Sequence, residues 1–132
     1  MPGPQVDAAE ALEQVKHLAD LDSTEAARET TEAVLRTLGE RLARGEAEDL
    51  ADFLTPDLRA WLLAPENEDA EEFPPEEFVE RVAEREGVDT ETAHDRVQAV
   101  FDGLSLMVRE DELDRARTQL PESYHTLLAP AF

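Results

Sequence analysis

The sequence predicts an all-α protein: six to eight helices forming two pseudo-symmetric tandem helical repeats, packed into one compact, bundle-like domain. Three observations predict it. Apolar residues recur at three- and four-residue spacing along most of the chain, and no stretch alternates strictly with β-branched enrichment. Cap and stop residues fall between those stripes. The chain also matches itself when slid by 66 residues.

The first element rests on Ala8, Ala11, Leu12, Val15, Leu18 and Ala19, one apolar stripe of a helix. Residues 1–6 precede it as a disordered tail. Asp22-Ser23-Thr24-Glu25 then offers an N-cap, with Glu25 three residues after Asp22 in the manner of a capping box. Val34, Leu35, Leu38 and Leu42 carry the long second helix, and Ala47, Leu50 and Leu54 a medium third. Thr55-Pro56 places Pro at a helix start, where its missing N–H costs nothing. Residues 7–63 make repeat one. Residues 64–75 are an acidic, Pro-bounded linker, from which Phe73 is expected to dip back into the core.

Repeat two, residues 76–128, follows the same plan. Phe78, Val79, Val82 and Ala83 form its first stripe, Gly87 stops it, and Asp89-Thr90-Glu91 opens the next. Val97, Val100, Phe101, Leu104 and Val108 continue that helix, then Leu113, Ala116 and Leu120 make another, and Leu120-Pro121 starts a last turn. Gly39 and Gly103 lie inside helical patterns, at about 1 kcal/mol each relative to Ala, a cost explained if each admits a close neighbour. Residues 129–132 are an apolar C-terminal tail.

The offset of 66 pairs Thr24 with Thr90, Glu25 with Glu91, Ala27 with Ala93, Val34 with Val100 and Leu38 with Leu104. A one-residue slip, to 67, pairs Leu12 with Val79 and Val15 with Val82 upstream. Two copies of about 60 residues are individually marginal, so they are expected to pack together.

Large side chains are scarce. Leu (17), Val (9) and Phe (5) with no Ile leave the core dependent on many of the 19 Ala. The formal net charge is −21, and Lys16 is the only Lys beside 11 Arg. For a compact radius of about 18 Å, the self-repulsion is roughly 18 kcal/mol at 0.1 M salt and roughly 7 at 1 M. That difference rivals the ~5–15 kcal/mol stability of a domain. The charge is spread along the chain, about −9 over residues 1–66 and −12 over 67–132, unlike an acidic tail. The expected setting is the cytoplasm of a salt-accumulating halophile, with hydrated cations at an acidic surface; an acidic partner for a basic protein is the competing reading. Nucleic acid is disfavoured because no basic stripe exists. No apolar run approaches the ~18 residues of a membrane span, and Met1-Pro2-Gly3-Pro4 has no secretory pattern.

The strings Glu77-Phe78-Val79-Glu80-Arg81-Val82-Ala83-Glu84-Arg85-Glu86-Gly87-Val88-Asp89 and Gln119-Leu120-Pro121-Glu122 resemble the prokaryotic domain-of-unknown-function family 2267. The likeness runs from about Ala8 to Leu128. It departs at Phe53-Leu54-Thr55-Pro56, where the family has Gln-Leu-Pro, and at Ala11, where an aromatic is typical. The resemblance implies a small helical cytoplasmic protein, read with the charge as a haloarchaeal member. It brings no assigned activity and no catalytic residue.

Chemistry-bearing patterns are sparse. Glu91 and His94 stand one helical turn apart, the spacing of di-iron carboxylate bundles, but a second such motif is missing: Glu25-Ala26-Ala27-Arg28 stands in its place. They are weak metal candidates against a solvated helix start. No phosphate loop or nucleophile elbow occurs, so no catalytic residue and no cofactor is assigned. Trp61, Leu62 and Leu63 with Tyr124, Leu127, Leu128 and Phe132 read either as core and a self-docked tail, or as an apolar patch for a protein partner or a homodimer. The expected function is a non-catalytic helical interaction or regulatory module. The alternative is a small enzyme, or a ligand- or metal-binding protein, with a polar site between the repeats.

Overall fold

A computed structural model describes residues 8–52, 54–65, 69–104, 118 and 124. Among them run six α-helices and no strand: α1 (Ala8–Leu18), α2 (Thr24–Arg41), α3 (Arg44–Ala51), α4 (Pro56–Leu62), α5 (Pro75–Glu86) and α6 (Thr90–Leu104). The all-α expectation holds. The expected helix around Leu113, the tails 1–6 and 129–132, and Leu127, Leu128 and Phe132 lie outside the described residues.

Local chemistry sets most boundaries. Ser23, not Asp22, caps α2: its Oγ accepts from Ala26 N–H at 3.0 Å. That shift puts Ala26 at the third helical position, so Glu25 is out of register for a capping box. Asp89 opens α6, its carboxylate accepting from Thr92 N–H at 2.7 Å; this bond holds the Asp89 carboxyl below its ordinary pKa. Thr55 and Pro74 precede helices that begin on Pro56 and Pro75. The helices α1 and α5 end alike. Leu21 N–H reaches Lys16 C=O and Asp20 N–H reaches His17 C=O, while Val88 N–H reaches Ala83 C=O. Such endings need one left-handed residue. Gly87 (φ 69°) supplies it for α5, but Asp20 (φ 55°) must for α1.

Helix α2 is the hub, packing on α1, α4, α5 and α6; α6 in turn holds α1 and α5, and α3 supports α4. Each stripe contributes to the core: Leu12 and Val15, Val34 and Leu35, Leu58 and Leu62, Phe78 and Val82, Val97 and Val100. Ala27, Ala47, Ala51, Ala83, Ala93 and Ala99 fill the gaps between them, as the shortage of large residues requires. Gly39 earns its place by proximity, since a Cβ there would lie 2.2 Å from the Leu62 carbonyl oxygen. At Gly103 the nearest atom would be Val15 Cγ2 at 2.8 Å. Among the described residues no helix is long and apolar enough to cross a membrane.

One expectation for the apolar stripes is corrected. Leu18 is not core: it is 46 % exposed, at a depression lined on the α6 side by Asp95, Gln98, Ala99 and Asp102. Leu62 and Tyr124 are each 1 % exposed and belong to the core, the first of the two readings offered for them. Helix geometry turns Leu62 inward with Leu58, four residues before it.

Candidate functional site

Two seams run between helices on the surface, α2 against α5 and α1 against α6. They differ in what closes them.

Along the α2–α5 seam, Arg81 and Arg85 point from α5 toward the Glu40 carboxylate and the Thr37 hydroxyl of α2. Arg81 donates to Glu40 at 3.1 Å, to Glu77 at 2.6 Å and to Glu71 at 3.3 Å. Its guanidinium lies 3.9 Å from the Phe73 ring centroid. Burial opposes the charge on Arg81, but the bonds to Glu77, Glu40 and Glu71 outweigh it and raise its pKa above the ordinary value. Arg85 reaches Glu40 and the Thr37 hydroxyl, each at 2.6 Å. A depression of about 460 Å³ there is lined by Glu40, Arg81, Glu84 and Arg85, with Glu40 holding both arginines.

Behind this seam the linker is anchored. The Phe73 carbonyl accepts from Arg41 Nε at 3.1 Å and from the Tyr124 hydroxyl at 2.6 Å. Tyr124 meets Phe78 edge-to-face, centroids 6.0 Å apart, and lies 5.2 Å from the Arg41 guanidinium. Burial raises the Tyr124 pKa, with Arg41 pulling the other way. Arg41 is 5 % exposed, a buried cation that an apolar stripe could not announce. Glu86, at the end of α5, bridges α2 and α6, accepting from the Thr30 hydroxyl and from Arg96 at 2.8 Å.

Among the described residues no arginine lines the α1–α6 seam, Arg96 of α6 being turned to Glu86 of α5. A depression of about 370 Å³ there is lined by Leu18, Ala19 and Asp20 on one side and by Asp95, Gln98, Ala99 and Asp102 on the other. Across the seam Gln14 Nε2 donates to Asp102 Oδ2 at 3.0 Å. Leu18 is the one large apolar side chain that is exposed among the described residues.

The residues singled out from the sequence are not brought together. Glu91 is exposed at the start of α6, and His94 is half-buried one turn on, with Nδ1 4.0 Å from Asp95. Among the described residues no group of three or more His, Asp or Glu side chains is placed to hold a metal ion. Trp61 and Leu63 are partly buried against the core, and Arg28 covers the indole at 5.1 Å. This leaves the described part of the expected patch packed on its own domain. The groove beside Leu18 was missed because Leu18 keeps perfect helical spacing with Val15; only the neighbours across the seam decide that it stays uncovered. The seams differ in charge: in one Glu40 pairs with two arginines, and the other sets Asp20 and Asp95 beside Leu18.

The model of a family described as "Uncharacterized conserved protein (DUF2267)" matches residues 8–127, and the chain belongs to that family. No curated protein matches it.

Proposed function

We propose that this DUF2267 member is a non-catalytic helical interaction or regulatory module, working in the cytoplasm of a salt-accumulating, haloarchaeal cell. The observation that carries the reading is the contrast between the seams. Arg81 and Arg85 of the α2–α5 seam are engaged with Glu40, whereas the α1–α6 seam leaves Leu18, Asp20 and Asp95 exposed. A surface of that kind suits recognition better than bond chemistry, which needs a nucleophile, a base and an orienting group within reach of each other.

The reading includes a tandem duplication. Helices α1 and α5 each lie on both α2 and α6, a reciprocal pattern that two exchanged copies of a helix pair would produce. The positions 30 and 96, equated by the offset of 66, both serve the Glu86 carboxylate. Each copy contributes half of a core too large for either alone. The carboxylate coat, net −21, keeps hydrated cations around the molecule and suits it to high salt.

Cross-linking of the full chain inside its own cells, followed by reconstitution with each captured protein in 2 M KCl, tests the module. A stoichiometric complex with submicromolar Kd is expected. A chain that reconstitutes with none of the captured proteins overturns the proposal.

A further inference from the structure

We draw no further inference here: the strongest candidate, the open groove between α1 and α6 where Leu18 stands beside Asp20 and Asp95, carries nothing because nothing in the structure shows what covers it.

Discussion

Replacing Tyr124 tests whether the C-terminal part of the chain is a structural member of the core. The side chain is 1 % exposed, its hydroxyl donates to the Phe73 carbonyl at 2.6 Å, and its ring meets Phe78 edge-to-face. In Tyr124→Phe the ring contacts survive, and the carbonyl keeps Arg41 Nε at 3.1 Å. The loss is one net hydrogen bond, about 1 kcal/mol. Tyr124→Ala removes the ring as well, for about 3–5 kcal/mol in total, a large share of an ordinary domain's stability. Urea unfolding in 2 M KCl, followed by circular dichroism and by Trp61 fluorescence, measures both. The chain has one Tyr, so absorbance at the tyrosinate band reads this residue alone. Its folded pKa is raised above the ordinary 10.0 by burial, against the pull of Arg41. The stability linked to that shift is therefore complete below the unfolded pKa and is lost as pH rises through the folded one. Tyr124→Phe should abolish this alkaline loss. A cost under about 1 kcal/mol for Tyr124→Ala, or a native tyrosinate titration at the unshifted value, would refute the docking.

Four further outcomes are expected. Gly39→Ala should destabilise by about 1–3 kcal/mol, because its Cβ meets the Leu62 carbonyl, whereas Gly45→Ala, with no atom within 4 Å, should gain about 0.5–1 kcal/mol; thermal melts separate the two. Asp20→Gly should stabilise by about 1 kcal/mol by relieving a left-handed non-glycine residue, and Gly87→Ala should destabilise by a similar amount. Asp89→Ala removes the cap of α6 and should lower the melting temperature. Because the Thr92 N–H depresses the Asp89 carboxyl pKa, its contribution is present above the ordinary carboxylate range and lost as pH falls through the depressed value, so acid melts of the variant should lack that component. Helix content should hold in 2 M KCl and fall, or melt earlier, toward 0.1 M; a melting temperature independent of salt would remove the halophilic reading.

Much of the fold is legible in the sequence because helix formation depends on near neighbours. The stripe Phe78, Val79, Val82 and Ala83, the stop at Gly87 and the cap at Asp89 need no knowledge of the rest of the chain. Even there a one-residue choice was decided locally but invisibly: Ser23 and Asp22 are both good caps, and only the backbone geometry selects Ser23. The site was far less legible. Leu18 and Leu12 are equivalent by spacing, yet one is exposed and the other is buried. Arg41 carries a charge that composition assigns to the surface, and it is buried because a carbonyl and two rings from distant segments surround it.

Composition, periodicity and caps therefore determined that the chain is helical, where most helices begin and end, and that its core leans on alanine. Tertiary structure alone decided which seam is neutralised and which stays open. Helix propensity and amphipathicity act over three or four residues along the chain. Whether a carboxylate finds an arginine, or a leucine a cover, depends on residues some forty to ninety positions away, as Glu40 with Arg81 and Gln14 with Asp102 illustrate.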